Sequence, residues 1–103
     1  MIQLSYSISG EHIVIQLSGD LDIESTELIE QELIPMLEKY QSIRLDFEKV
    51  LFVDSSGIGI LMFLVQTLQE QNKEITICNV TAEVMEVLKL LQIPEILGES
   101  IFA

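Results

Sequence analysis

Val53-Asp54-Ser55-Ser56-Gly57-Ile58-Gly59 is the stretch on which the fold turns. The apolar run 50–53 ends in an acid, two serines and two glycines follow, and a long apolar helical pattern then begins. That order marks a buried strand running into a helix. It puts a hydroxyl in the first turn of the helix, exposed and easily given a charge. A serine there can cap the helix by accepting a backbone N–H bond. It can also carry a phosphate, because a helix N-terminus favours anions. Ser55, with Ser56 beside it, is therefore the candidate for a switch.

Downstream, the periodicity predicts a helix over 56–71. On a wheel of about 100° per residue, Leu61, Leu64, Val65 and Leu68 point one way and should be buried. Gly59, Phe63, Gln66 and Glu70 point roughly the other way, with Met62 near the margin. Met62 and Phe63 either form a docking surface beside Ser55 or finish the core under a neighbouring element. A strand follows at 74–78. Thr81 then caps a helix over 82–91, with Val84, Val87, Leu88 and Leu91 facing inward, and Pro94 prevents its continuation. The segment 100–102 suits a short final strand.

Upstream, 42–47 reads as a strand with Ile43, Leu45 and Phe47 on one face and Arg44 and Asp46 on the other. A helix is expected over 24–40, with a stripe of Leu28, Ile29, Leu33, Met36, Leu37 and Tyr40 and a cap from Asp22 or Ser25. Pro35 falls inside it and should kink or break it near 32–34. Nearer the start, Ile2, Leu4, Tyr6 and Ile8 alternate with Gln3, Ser5 and Ser7. Ser9-Gly10-Glu11 is a turn, and alternation resumes through Ile13, Ile15 and Leu17, giving a hairpin. Gly19-Asp20-Leu21-Asp22 ends its second strand. The order β-β-α-β-α-β-α-(β) implies an α/β domain with a mixed, mostly parallel sheet of about four or five strands, flanked by three or more helices.

Composition narrows the possible functions. A chain of 103 residues suits one domain, 1–103, and 49% apolar residues are enough for a core. Seventeen acids against 5 Lys and Arg give a net charge of -12. That argues against nucleic acid and anionic membranes, which need basic patches. It suits a basic protein partner, or simply a soluble surface. A single cysteine, Cys78, allows no intrachain disulfide and fits a reducing cytoplasm. Its apolar neighbours read as core. The N-terminus lacks the basic and apolar regions of a signal peptide. The longest apolar run, 60–65, falls far short of the roughly 20 residues that span a bilayer.

Enzymatic chemistry finds little support. The only histidine is His12, beside a turn, and no Gly-x-Ser-x-Gly elbow is present, so a serine hydrolase is not expected. Gly57-Ile58-Gly59 lacks the Gly-Lys-Ser/Thr of a phosphate loop and the third glycine of a dinucleotide fingerprint. Asp20, Asp22 and Asp54 can gather at one end of the sheet, either to hold a cation or, for Asp22 at least, to cap a helix. No cofactor or resident metal is expected.

In Gly19-Asp20-Leu21-Asp22 and Asp54-Ser55-Ser56-Gly57-Ile58-Gly59, at this separation and in this element order, the chain resembles the STAS domain family of bacterial anti-sigma factor antagonists. The resemblance covers almost all of its length. It implies a protein that binds an anti-sigma factor serine kinase and so frees a sigma factor for transcription. Phosphorylation of the first serine of the motif, here Ser55 (with Ser56 the alternative), would block that binding, and a PP2C-type phosphatase would reverse it. Asp22 and Asp54 match family acids close to that serine. The partner surface would comprise Asp20, Asp22, Asp54, Ser55, Ser56, Gly57, Ile58, Gly59, Met62 and Phe63. Gly57 and Gly59 either let a partner or nucleotide approach the serine or permit a tight strand-to-helix turn. The alternative role is a stand-alone STAS subunit of a bacterial membrane transporter, such as a lipid ABC exporter. A ligand sensor and a homodimer joined through the apolar helix edge remain open.

Overall fold

A computed structural model describes residues 2–103; Met1, which opens the N-terminal stretch read above, lies outside the described residues. The elements run β1 (Gln3–Ser9), β2 (His12–Leu21), a 3-10 turn (Ile23–Ser25), a π-helical segment (Leu28–Leu33), α1 (Ile34–Leu37), β3 (Ser42–Val53), α2 (Ser55–Glu70), β4 (Glu74–Cys78), α3 (Ala82–Leu90), α4 (Ile93–Leu97) and a last 3-10 turn (Glu99–Ile101). Among the described residues no helix is long and apolar enough to cross a membrane.

The sheet has the order β1-β2-β3-β4. The hairpin β1–β2 is antiparallel, and β2–β3 and β3–β4 are parallel. Each parallel step moves to the next strand in the same direction. Right-handed crossovers therefore bring the intervening helices to one face. Residues on that face form the core: Ile13, Ile15, Leu17, Ile43, Leu45, Phe47, Ile75 and Ile77 are all buried. The opposite face is left uncovered. It carries Val14, Gln16, Arg44, Asp46, Thr76 and Cys78, all exposed or half-buried. This explains the clean alternation in strands that, in a doubly covered parallel sheet, would be apolar throughout. Cys78 is thus half-buried on the open face, not part of the core. Burial pushes its thiol pKa up, and the Asp46 carboxylate adds to the shift, while Arg44 opposes it.

Several local features depart from the expectation. Segments 42–47 and 50–53 join into one strand, β3, whose pairing with β2 shifts register twice, between Gln16 and Ser18 and between Gly19 and Asp20. These bulges turn strict alternation into one residue in and two out: Phe47, Val50 and Val53 are buried, while Glu48, Lys49, Leu51 and Phe52 are exposed. Gly19 sits at the second irregularity with φ +109°, a conformation that favours glycine.

The helix expected over 24–40 begins as a 3-10 turn and continues as a π-helical segment. Pro35 does not end it, but the helix changes from π to α between Leu33 and Ile34, within the stretch 32–34 where a kink or break is expected. The turn before Pro35 widens, with Ile34 N–H donating to Ile29 C=O, and Pro35 becomes an early residue of α1. A proline in the first turn of a helix has no N–H to lose there.

Pro94 behaves in the same way. It opens α4, after α3 has ended and Gln92 has taken a left-handed conformation at φ 59°. In place of a strand over 100–102, Glu99–Ile101 form a 3-10 turn and Phe102 makes a single bridge to Ile77. In α3, Val84 and Leu88 are buried as expected, but Val87 and, just past the end of the helix, Leu91 are exposed, because the nine-residue helix buries only a narrow stripe.

Candidate functional site at the start of helix α2

The core positions of α2 fix its rotation about its axis. Ile58, Leu61, Leu64, Val65 and Leu68 are buried at spacings of three and four residues. Burying each such side chain is worth about 1.5–3 kcal/mol, so the helix cannot roll. The opposite face carries Ser55, Gly59, Phe63, Gln66 and Glu70, all exposed. Phe63 keeps 50% of its surface open, whereas Met62 is half-buried and packs against the core. The two residues therefore separate: Met62 finishes the core, and Phe63 presents an aromatic ring to solvent.

The cap of α2 is Asp54, not a serine. Its backbone is extended and its Oδ1 accepts from Gly57 N–H at 2.7 Å. A carboxylate here also meets the positive end of the helix dipole. Because Asp54 satisfies this N–H, Ser55 occupies the first helical position with its hydroxyl exposed and free of the capping role. Ser56, one residue on, is half-buried.

The second acidic motif meets the first through the sheet. Leu21 pairs with Val53 in register, and Asp54 N–H donates to the Leu21 carbonyl at 3.3 Å. Asp22 therefore follows directly from the residue that anchors Asp54. Its carboxylate caps the 3-10 turn, accepting from Glu24 N–H at 3.1 Å, while its own N–H donates to Ser25 Oγ at 3.3 Å. Ser25 is fully buried and also donates to the Asp20 carbonyl at 3.3 Å. These bonds tie the end of β2 to the 3-10 turn, which packs against α2. Asp20, Asp22 and Asp54 lie at the same end of the sheet. Among the described residues, however, no group of three acids, histidines or cysteines is placed to hold a metal ion.

Two of the residues expected to meet a partner turn inward. Gly57 is buried, and a Cβ added to it would overlap the Leu21 carbonyl oxygen. The space left by its missing side chain is filled by the chain itself. Ile58 belongs to the core. Gly59, by contrast, is exposed, and an added Cβ would meet nothing within 4 Å. His12 is an exposed residue at the start of β2.

Sequence reading overlooked further apolar surface. Ile23, Leu51 and Phe52 are all exposed, Ile23 on the turn that packs against α2 and the other two in the bulged end of β3. Leu51 and Phe52 share a shallow cavity of about 170 Å³ with Glu83, Val84 and Val87 of α3. The one sequence signal was the unbroken run 50–53, which exceeds what one buried face of a strand requires.

A family model described as "Mlab, STAS domain" matches residues 4–98. The anti-sigma F factor antagonist of Paenibacillus polymyxa is 24% identical over 93 residues, covering 84% of this chain and 80% of that protein. Among solved structures, the anti-sigma factor antagonist SpoIIAA in its unphosphorylated form superposes with a TM-score of 0.66 at 25% identity, covering 86% of this chain and 82% of the other. A sulfate transporter family protein from Wolinella succinogenes shares the fold with a TM-score of 0.80 at 13% identity, over 93% of this chain and 79% of that one. The mixed α/β sheet is the fold that these structures share. A match that spans nearly the whole chain shows its family: this protein is a member of the STAS domain family.

Proposed function

We propose that this chain is an anti-sigma factor antagonist whose partner binding is switched by phosphorylation of Ser55. The carrying observation is the division of labour at the start of α2: Asp54 caps the helix and leaves the Ser55 hydroxyl exposed. The names of the relatives support the general role. In this reading the unphosphorylated protein binds an anti-sigma factor serine kinase through Ser55 and the exposed apolar side chains Phe52, Phe63 and Ile23. The kinase modifies Ser55, and a PP2C-type phosphatase restores the binding form.

The physics of the switch is local. A phosphoryl group adds a charge of about -1.5 to -2 at neutral pH. The first turn of α2 tolerates it, so the domain stays folded. At a closely packed interface the same group must be desolvated beside the Asp54 carboxylate. A penalty of about 3 kcal/mol weakens binding more than a hundredfold. The test is phosphopeptide mapping of wild type and Ser55→Ala, each incubated with the kinase recovered from the source organism. Phosphate on Ser55 of wild type and none on the variant is expected. Phosphate on Ser55→Ala would move the site to Ser56 and defeat the assignment.

A further inference from the structure

We propose that β1 is a docking edge for an extended, basic amphipathic segment of a partner protein, which adds to the sheet as a fifth strand and lays its apolar side chains into the groove beside β1. The two edges of the sheet are treated differently. On the β4 side, the C-terminal residues lie alongside the strand: Phe102 bridges to Ile77, and Ala103 N–H donates to the Ile77 carbonyl at 2.9 Å. On the β1 side nothing pairs with the strand among the described residues. Open edges are usually protected by charge, proline or a bulge. Gln3–Ser9 has no charged residue and no proline, and it pairs with β2 without a register shift.

The groove specifies the chemistry of the occupant. Leu4, Tyr6 and Ile8 lie opposite Leu17, Ile15 and Ile13, so they share the helix-side face of the sheet. The helices do not reach over them fully: Tyr6 is 57% exposed and Ile8 50%. Between this edge and the first helical segments runs a groove of about 350 Å³, lined by Leu4, Tyr6, Leu28, Leu33 and Met36, with Glu32 among its walls. A neighbouring depression, also lined by Leu28 and Glu32, adds Glu24 and Glu27. None of the chain's five basic residues lines either one. An apolar floor with an acidic rim, next to unpaired strand backbone, fits a β-strand that carries apolar and cationic side chains on its groove side. The other face of β1 offers only Gln3, Ser5, Ser7 and Ser9 and suits small polar residues. A second copy of this chain fits less well. It would bring another -12 of net charge and a second rim of glutamates to the same junction. No residue of the groove belongs to the α2 site, so the two surfaces can be occupied independently.

The probe is a terminally blocked nine-residue peptide with Val, Val and Arg alternating with Thr, and its counterpart with Glu in place of Arg. Each is titrated into the full chain and followed by backbone amide NMR, with sedimentation measured in parallel. Shifts confined to β1 and residues 24–36 are expected for the Arg peptide. Tyr6→Lys and Glu32→Lys, both exposed positions, should each weaken its binding by about tenfold or more while leaving the melting curve in place. The proposal is overturned if the Arg peptide produces no shifts at millimolar concentration. Equal binding of the Glu peptide, or unchanged affinity in both variants, overturns it too. So does a wild-type dimer that Tyr6→Lys dissolves, which would make a second copy the occupant.

Discussion

Replacing Gly57 with Ala adds one methyl group where α2 crosses the end of β2. The new Cβ overlaps the Leu21 carbonyl oxygen and lies 2.7 Å from its carbonyl carbon and 3.1 Å from Val53 Cγ1. The first two are backbone atoms of an interior strand and cannot swing aside. Moving them also stretches the bond from Asp54 N–H to the Leu21 carbonyl. Overpacking of this kind costs about 1–3 kcal/mol. Loosening the hydrogen bond adds about 0.5–1.5 kcal/mol. The better helix propensity of Ala returns about 1 kcal/mol. The net loss is about 2 kcal/mol, which lowers the Tm by about 8–16 °C in a domain of this size. Gly59→Ala is the internal control. Its Cβ meets nothing within 4 Å, so removing a helical glycine there should stabilise by about 0.5–1 kcal/mol. Thermal and urea unfolding by circular dichroism measure both. A Gly57→Ala protein as stable as wild type would refute the packing argument and return Gly57 to the partner surface.

Asp54→Ala removes the cap of α2 and should cost about 0.5–2 kcal/mol, while Asp54→Asn should retain most of it; urea titration of the pair separates capping from charge. Phe63→Lys should weaken capture of the anti-sigma partner at unchanged Tm. Met62→Lys should lower the Tm, because its side chain packs on the core. A stable Met62→Lys or an unstable Phe63→Lys would reverse the assignment of the two residues.

Much of this fold was legible because its signals are local. Alternation through Ile13, Ile15 and Leu17, the three-four spacing of Leu61, Leu64, Val65 and Leu68, and the cap at Thr81 each depend on neighbours in the chain. Thr81 Oγ1 does accept from Val84 N–H, at 3.3 Å. What escaped depends on distant pairing. The exposure of Leu51 and Phe52 follows from two register shifts against β2, which no window of sequence contains. The packing role of Gly57 requires knowing that Leu21 lies beneath it. Pro35 is a conflict that the sequence itself displays. The widened turn that resolves it depends on Ile29, Leu33 and Leu37 all remaining in the core. At the site, the motif located Ser55 and the acids correctly at one end of the sheet. Asp54 is the cap because it alone has the extended backbone of an N-cap, a distinction of one residue.

The central claim is that charge on Ser55 decides partner binding, and capture from a lysate of the source organism tests it most directly. Wild type and Ser55→Asp serve as baits side by side. Recovery of a serine-kinase anti-sigma factor with wild type and its loss with Ser55→Asp is the predicted result. Recovery of the same partners with both baits, transporter subunits above all, would contradict the switch and make the chain a structural adaptor.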